Sequence, residues 1–176
     1  MTSSVFISFI LAFIAVCAYY ERKTKIVPAP TLPAVRKAMM LALKKYLKKT
    51  DGNIAEIGSG WGGLLFAIAQ KFPEAQVFGY ELSLLPYWVT KLRLCCHRKN
   101  ITVERKDFFK EDFRGFDAVI CYLSPHHMQE LKPKFEAELK TGALVISNAF
   151  AIPGWTPIET LQGGSLLKIP VYVYRK

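Results

Sequence analysis

The chain has 176 residues and a formal net charge of +10, from 24 Lys plus Arg against 14 Asp plus Glu. This length allows one domain with a short additional segment and excludes a chain of several domains. The excess of positive charge favours an anionic partner, such as a nucleic acid, an acidic protein or a membrane surface. The 4 cysteines form no CxxC pair and no zinc-ligand spacing, so no metal site is predicted.

The first 20 residues contain no charged side chain, and Val5 to Tyr20 is apolar except for Ser8. Twenty helical residues span about 30 Å, the thickness of the hydrocarbon core of a bilayer. A cleaved signal peptide is an alternative, but the basic residues that should precede its apolar core are absent. A buried core helix is another, although it would be unusually uniform. With ERKTK directly after it, segment 1–20 predicts a single-pass transmembrane anchor with the body of the protein on the cytoplasmic side, or in the matrix if mitochondrial.

Residues 21–50 are predicted to form a basic linker and a helix. Ile26–Pro33 contains three prolines, which indicates an extended linker, and apolar residues at helical spacing begin at Val35. Nine basic residues and no acidic residue occur between Arg22 and Lys49. Each basic residue near an anionic membrane surface contributes up to about 1 kcal/mol of binding. We therefore expect this segment to contact such a surface, with a solvated helix face as the alternative.

Residues 51–176 alternate between strand-like and helix-like segments. Strands are predicted over 53–57, 76–82, 101–107, 116–123 and 142–150, and helices over 62–72, 86–99 and 125–140. Pro133 should kink or break the last helix. The link between the third and fourth strands is too short for a crossover helix and is expected to be a loop or a single turn. Segments 155–162 and 167–176 predict a terminal hairpin, so the fold is α/β, with a parallel sheet covered by helices on both faces.

A glycine-rich turn, AEIGSGWGG, follows the first predicted strand at Ala55–Gly63. Gly58, Gly60 and Gly63 match the G-x-G-x-x-G pattern, which lets the backbone approach a nucleotide-like ligand closely. Glu81 lies at the end of the next strand, where its carboxylate can bind the two hydroxyls of a ribose. The combination predicts a cofactor that carries a ribose.

Glu56 distinguishes between the candidate cofactors because it lies at the end of the first strand, beside the glycine turn. NAD would place its negatively charged pyrophosphate on this turn, where a nearby carboxylate would repel it. S-adenosylmethionine carries no phosphate, and the cationic groups of its methionine end suit a carboxylate. S-adenosylmethionine is therefore the predicted cofactor. NAD, and glycines that serve only tight turns, are the alternatives.

Two residues after the third strand complete the predicted cofactor site. The carboxylate of Asp107 could accept a hydrogen bond from the adenine amino group, while Phe108 packs beside the base. Alternatively, Asp107 forms a turn, in which its side chain accepts a hydrogen bond from the nearby backbone.

Tyr122 and Ser124, at the end of the fourth strand, are the predicted catalytic residues. Either could orient the acceptor group through its oxygen or its backbone carbonyl. The alternative for Ser124 is a plain helix N-cap followed by Pro125 in the first turn. His126 and His127 are expected to be exposed polar residues.

The segments AEIGSGWGG, FGYEL and RKDFF resemble the first three cofactor-binding motifs of class I methyltransferases. More specifically, the chain is similar to the small membrane-anchored protein-lysine methyltransferases. That family includes mitochondrial enzymes that act on the ATP synthase c subunit and on the adenine nucleotide translocator. The matching segments cover most of the chain and include APTLP, YELSLLPYWVTKLRL, ERKDFFK, YLSPHHMQELKPKFEAEL, AFAIPGWTPIET and VYVY.

The resemblance implies a Rossmann-like, mostly parallel sheet of seven strands with an antiparallel C-terminal hairpin, preceded by a single N-terminal hydrophobic helix. The methyltransferase domain would then occupy residues 51–176. The cofactor-binding residues implied by the motifs are Thr31, Pro33, Glu56, Gly58, Ser59, Gly60, Glu81, Leu82, Asp107 and Phe108. Two departures from the family pattern are Trp61, where the family commonly has an acid, and Ser83–Pro86, which replaces its Asn-Pro with one apparent extra residue.

The predicted function is S-adenosylmethionine-dependent methyl transfer to a lysine side chain of a membrane-associated protein. Desolvation beside a cationic sulfonium would lower the pKa of the lysine, so a strong base is not required. The alternatives are a methyltransferase of a lipid or small molecule, and a non-catalytic cofactor-binding membrane adaptor. A nucleic-acid substrate is not expected, because Leu-Ser-Pro replaces the Asn/Asp-Pro-Pro-aromatic signature of many base methyltransferases.

Overall fold

The computed structural model describes residues 30–94, 99–164 and 167–176, together with Ser8. The strands are β1 Asn53–Ile57, β2 Gln76–Tyr80, β3 Ile101–Glu104, β4 Ala118–Cys121, β5 Leu144–Asn148, β6 Glu159–Gly163 and β7 Ile169–Arg175. The helices are α1 Pro33–Tyr46, α2 Gly63–Lys71, α3 Leu84–Leu94 and α4 Pro125–Glu138, with one 3₁₀ turn at Phe108–Lys110.

The seven strands form one sheet in the order β3-β2-β1-β4-β5-β7-β6. Strands β1 to β5 pair in parallel, and β7 pairs antiparallel with both β5 and β6. This confirms the predicted α/β fold, with a mostly parallel sheet and antiparallel C-terminal strands. The chain crosses from β3 at one edge to β4 beside β1, so the carboxyl ends of β1 and β4 lie together at the point where the strand order reverses. Ligands of open α/β sheets bind at this point.

The structure contradicts the predicted localisation as a single-pass membrane protein. Among the residues that the structure describes, no helix has both the length and the apolar character needed to cross a bilayer. Apart from Ser8, the apolar segment 1–20 on which the prediction rested lies outside the described residues, as does the predicted N-terminal hydrophobic helix.

Both faces of the sheet are covered because the side chains of β1 alternate between two apolar clusters. Ile54 packs with residues of α1 and α2 on one face, whereas Ala55 and Ile57 pack with residues of α4 on the other. Glu56 is on the same side of β1 as Ile54, so its carboxylate points towards α2. The alternation therefore carries a charged side chain into the protein beside the glycine turn.

Helix α1 is part of the domain core rather than a free linker. It begins with Pro33 in the first turn, where the missing N–H costs nothing, and packs against β5, β6 and β7. Of the nine basic residues between positions 22 and 49, at least two have roles within the domain. Lys45 forms an ion pair of 2.7 Å with Glu159 on β6, and Arg36 lines the cavity described below.

Pro133 neither breaks nor ends α4, contrary to the sequence-based expectation. Leu131 and Phe135, on either side of it, are fully buried, whereas Pro133 itself is exposed. The packing of these two side chains holds the helix together, and the carbonyl that loses its partner is on the solvent side, where water can bind it.

Several predicted strands are too long at their ends. The third ends at Glu104 rather than at residue 107, and the fourth covers 118–121 rather than 116–123. The third strand stops early because Asp107 accepts a hydrogen bond from the N–H of Phe109 at 3.1 Å and starts the 3₁₀ turn. The link from β3 to β4 has no crossover helix in the structure, as predicted, and consists of this 3₁₀ turn and a loop.

Candidate functional site

A cavity of about 270 Å³ opens at the carboxyl ends of β1, β2 and β4. It brings together most of the residues that the sequence predicts for the site: Thr31, Glu56, Gly58, Ser59, Gly60, Glu81, Leu82, Asp107, Phe108 and Tyr122. Pro33 and Ser124 do not line it. The cavity is also lined by Gly63 of the glycine motif and by residues that the sequence did not assign to the site: Pro30, Arg36, Met39, Trp61, Leu64, Ser83, Arg93, Phe109, Cys121 and His127.

The glycine turn folds tightly because three of its glycines have positive φ angles: 74° at Gly58, 51° at Gly60 and 75° at Gly62. A side chain at Gly62 would place its Cβ 2.7 Å from Thr90 and 3.0 Å from Phe66. Gly63, which the motif singled out, has no such constraint. The turn thus requires glycine at Gly62, one residue before the position that the pattern selects.

Glu81 joins the second strand to the glycine turn through both of its carboxylate oxygens. Oε2 accepts a hydrogen bond from the N–H of Gly60 at 2.8 Å, and Oε1 accepts one from the N–H of Ser83 at 2.7 Å. The residue is 8% exposed and lines the cavity. Since a carboxylate can accept about four hydrogen bonds, Glu81 retains capacity for two hydroxyls of a ligand.

Glu56 carries the most unusual carboxylate of the site. It is 6% exposed, and its Oε2 has no hydrogen-bond partner among the described residues. Burial, followed by the nearby charge of Glu81, raises the pKa of Glu56 well above its usual value, while a hydrogen bond from the N–H of Leu65 opposes this. A buried oxygen without a partner destabilises the protein unless a cation or donor binds it. The site therefore favours a ligand with a positively charged group near Glu56.

Arginine and tryptophan side chains enclose the cavity beside the glycine turn. Arg93 of α3 donates a hydrogen bond to the carbonyl of Trp61 at 2.6 Å, and its guanidinium lies 4.4 Å from the ring centre of Phe66. Trp61 itself lines the cavity. Thr90, three residues before Arg93, lies on the same side of α3. Its hydroxyl donates a hydrogen bond to the carbonyl of Gly60 at 3.1 Å.

Asp107 and Phe108 lie on the other side of the cavity. Asp107 has the local role that the sequence left open, because its Oδ1 bonds the N–H of Phe109, and it lines the cavity as well. The rings of Phe108 and Phe109 pack with their centres 4.8 Å apart. These two aromatic side chains form an apolar wall that suits a flat ring system.

Tyr122 and Ser124 have different positions relative to the cavity. Tyr122 lines it, whereas Ser124, at the N-cap of α4, makes no side-chain capping bond and has its Oγ 2.6 Å from Nδ1 of His127. His127 is 7% exposed and lines the cavity, so the expectation that it is an exposed polar residue is wrong. His126 is exposed, as expected. The spacing Ser-x-x-His at the start of a helix was the signal in the sequence, because residues three apart lie on the same helix face.

The model of the ANTKMT methyltransferase domain matches residues 56–159 of this chain. The chain belongs to the ANTKMT methyltransferase family. The resemblance found in the sequence motifs is thereby confirmed, and with it the prediction of a methyltransferase. The match covers the glycine turn, Glu81, Asp107 and the Ser124–His127 segment.

Characterised proteins similar to this member of the ANTKMT family have names that refer to lysine methylation. The adenine nucleotide translocase lysine N-methyltransferase of Mus musculus is 32% identical over 123 residues, 68% of this chain and 52% of its own length. A lysine N-methyltransferase of the same species, named for the C subunit of ATP synthase, is 32% identical over 140 residues, 77% of this chain and 54% of its own. A protein-lysine N-methyltransferase of Saccharolobus islandicus is 26% identical over 137 residues, 76% of this chain and 84% of its own. The chain thus spans about half the length of the curated mouse relatives it matches.

Solved structures share the fold of this ANTKMT family member. An RNA methyltransferase from Salinibacter ruber, in complex with S-adenosyl-L-homocysteine, has a TM-score of 0.73 at 23% identity, and the match covers 84% of this chain and 93% of that one. A second structure, of an E81Q mutant of MtNAS with S-adenosylmethionine, has a TM-score of 0.68 at 10% identity, over 82% and 62% of the two chains. Both hold the cofactor, or its demethylated product, that the sequence predicts.

Proposed function

We propose that this protein transfers a methyl group from S-adenosylmethionine to a lysine side chain of a membrane-associated protein. The observation that carries the proposal is the buried, unpartnered Oε2 of Glu56, which lies in the same cavity as Glu81 and the glycine turn. Membership of the ANTKMT family and the names of the relatives support the class of reaction.

The residues of the cavity fit S-adenosylmethionine better than a dinucleotide. Glu56 supplies a negative charge where a cationic amino-acid moiety would neutralise it, and a pyrophosphate there would meet two buried carboxylates, those of Glu56 and Glu81. Glu81 would bind the ribose hydroxyls, and Asp107, Phe108 and Leu82 would surround the adenine. When bound, the cofactor supplies an activated methyl group on a sulfonium.

The chain's own contribution to the reaction is alignment of the acceptor and exclusion of water. Tyr122 lines the cavity at the carboxyl end of β4, where its oxygen or its backbone carbonyl could accept a hydrogen bond from the acceptor amine. Ser124 is outside the cavity lining, and in this proposal it acts through His127. Positioning of this kind contributes up to about 7–11 kcal/mol in favourable cases.

The class of substrate is inferred from the relatives. One relative is named as a lysine N-methyltransferase of adenine nucleotide translocase, and another as a lysine N-methyltransferase of the C subunit of ATP synthase. The predicted partner of this chain is a membrane-embedded or membrane-adjacent protein. The predicted contact of the basic segment 21–50 with an anionic membrane surface belongs to the same proposal.

The test combines cofactor binding with methyl transfer by the full chain. Calorimetry should detect binding of S-adenosylmethionine and little or no binding of NAD. Incubation with methyl-tritiated cofactor and either the purified C subunit of ATP synthase or purified adenine nucleotide translocase, in detergent, should label a lysine, which mass spectrometry would locate.

Two results would overturn the proposal. Tritium that enters a lipid fraction of membrane extracts, with no labelled protein, would favour the methyltransferase of a lipid. Binding of the cofactor with no transfer to protein, lipid or small molecule in those extracts would favour the non-catalytic adaptor.

A further inference from the structure

Arg36 of α1 brings a positive charge into the wall of the cavity. It is partly buried and lines the cavity together with Glu56 and the glycine turn. Among the residues that the structure describes, its guanidinium has neither a hydrogen-bond partner nor an ion-pair partner. A guanidinium carries several N–H donors and is always charged, so an unpaired one in a cavity favours a ligand with an anionic group.

The guanidinium of Arg36 lies at the start of α2. Its Nη1 is 3.7 Å from the position that a Cβ atom would take on Gly63, the first residue of that helix. The first turn of α2 contains no acidic residue, and its N-cap, Gly62, has no side chain to cap the helix. Because the free N–H groups of a helix N-terminus carry partial positive charge, two positive groups meet here without an anion.

Glu56 supplies the opposite charge in the same cavity. Its carboxylate accepts a hydrogen bond from the N–H of Leu65, which is also in the first turn of α2, while its Oε2 has no partner among the described residues. The pKa of Glu56 is raised, whereas a guanidinium in contact with this carboxylate would lower it. Glu56 and Arg36 therefore line one cavity without neutralising each other, as expected of side chains that bind a ligand with both charges.

We propose that Arg36 and Glu56 form a subsite for the zwitterionic amino-acid end of S-adenosylmethionine, in which the guanidinium of Arg36 binds the carboxylate and Glu56 binds the ammonium group. A guanidinium can donate two parallel hydrogen bonds to one carboxylate, and the N-terminus of α2 adds to the attraction. The inference concerns the cofactor and not the acceptor, so it does not depend on the identity of the substrate.

The subsite explains how a cavity with two buried carboxylates can bind a ligand that itself carries one. Glu56 and Glu81 would repel the carboxylate of the cofactor, and the positive charge of Arg36 offsets this repulsion. Arg36 precedes residues 56–159, which match the family model, and it is carried by α1. Helix α1 thus contributes directly to recognition of the cofactor as well as to the core.

The first experiment compares two ligands that differ only in the carboxylate. Decarboxylated S-adenosylmethionine keeps the adenine, the ribose, the sulfonium and the amine. By calorimetry of the full chain, we expect the wild type to bind S-adenosylmethionine at least about tenfold more tightly than the decarboxylated ligand. Arg36→Gln should weaken binding of S-adenosylmethionine at least about tenfold and change binding of the decarboxylated ligand less than about threefold.

Two further variants distinguish the charge of Arg36 from its packing. Lys37→Gln, at the exposed next position of α1, is the matched control and should bind both ligands as the wild type does. Arg36→Lys keeps the charge without the fork of donors, so its preference for the carboxylate should lie between those of the wild type and Arg36→Gln. If Arg36→Gln does not fold, an unreduced preference in Arg36→Lys would overturn the inference. An Arg36→Gln variant that binds S-adenosylmethionine as the wild type does, or that weakens both ligands equally, would overturn it as well.

The second experiment tests the partner of the ammonium group. Glu56→Gln should weaken binding of S-adenosylmethionine and of its decarboxylated form alike, because both ligands keep their cationic groups. 5′-Methylthioadenosine lacks the amino-acid end, so neither Glu56→Gln nor Arg36→Gln should weaken its binding. Equal losses for 5′-methylthioadenosine and S-adenosylmethionine would mean that the two residues only shape the cavity, and the subsite would be wrong. Absence of methyl transfer to a protein would instead count against the proposed function and leave the subsite unaffected.

Discussion

The carboxylate of Glu81 holds the glycine turn in place, because its Oε2 accepts a hydrogen bond from the N–H of Gly60 at 2.8 Å. Its Oε1 does the same for the start of α3 through the N–H of Ser83. The residue proposed to bind the ribose is thus also one that shapes the binding site. Removing its side chain should affect the fold and the ligand together.

Glu81→Ala is therefore expected to weaken binding of S-adenosylmethionine at least tenfold. A hydrogen bond to a charged group contributes about 1.5–3 kcal/mol, and about 1.4 kcal/mol corresponds to a tenfold change in affinity. Titration calorimetry of the full chain measures this. Glu74→Ala, at an exposed turn between α2 and β2, is the control and should bind as the wild type does. Equal affinities for the two variants would show that the ribose assignment is wrong.

Glu56→Gln should separate stability from binding. The amide has the same shape but places no buried charge beside Glu81, so we expect the unliganded protein to gain about 1 kcal/mol or more at pH 8. We expect cofactor affinity to fall, because the negative charge that faces the cationic end of the ligand is lost. Urea unfolding without ligand and calorimetry with it provide the two measurements, and a variant that loses stability would contradict the first.

The pH dependence of that stability difference has a definite sign. Burial raises the pKa of Glu56 above its ordinary value of 4.5, so the folded protein holds this proton more tightly than the unfolded chain. The wild type should keep this contribution fully below pH 4.5 and lose it as the pH rises through the folded-state pKa. Glu56→Gln does not lose stability in this way. As the pH rises above about 4.5, the free energy of unfolding of the wild type should therefore fall increasingly below that of the variant. Parallel curves between pH 4 and pH 8 would refute the shift.

The part of the fold that the sequence predicted depends on local pattern. Strand and helix periods follow from which residues must be buried, and the glycine turn with Glu81 follows from the backbone freedom that only glycine has. What the sequence could not supply depends on contacts between distant residues. For example, Leu131 and Phe135 are buried in an apolar cluster with residues of other elements, and this burial keeps α4 intact through Pro133.

The candidate site divides in the same way. Glu56, Gly58, Gly60 and Glu81 belong to one recognisable motif and its next strand, and they line one cavity. The burial of His127 depends on Phe108 and Phe109, which enter from a turn that precedes β4. Arg36 enters from α1. No local pattern indicates that Arg36 reaches this cavity, since only the assembled sheet brings α1 beside the glycine turn.

Gly62→Ala should destabilise the domain by about 2 kcal/mol or more. The φ angle of 75° costs a non-glycine residue about 1–2 kcal/mol, and the added Cβ would lie 2.7 Å from Thr90. Thermal unfolding of the unliganded protein measures the change. Gly115→Ala is the matched control, because its φ angle is not positive and its new Cβ would meet no atom within 4 Å. If Gly62→Ala unfolds at the temperature of the control, the turn does not require the conformation described.

Pro133→Ala should stabilise the domain without changing its site. Proline inside a helix costs about 3 kcal/mol through its missing hydrogen bond and its ring, and alanine restores the N–H that can bond the carbonyl of Gln129. Greater freedom of the unfolded chain offsets about 0.4–1 kcal/mol of this gain, so we expect a net increase of about 2 kcal/mol in the free energy of unfolding. Urea unfolding monitored by circular dichroism measures it, with Lys132→Ala, also in α4, as the control for substitution at a partly exposed position.

Because Pro133 is exposed and does not line the cavity, the affinity for S-adenosylmethionine should not change. A Pro133→Ala variant that is less stable than the wild type would contradict this prediction and would show that the proline ring stabilises the domain.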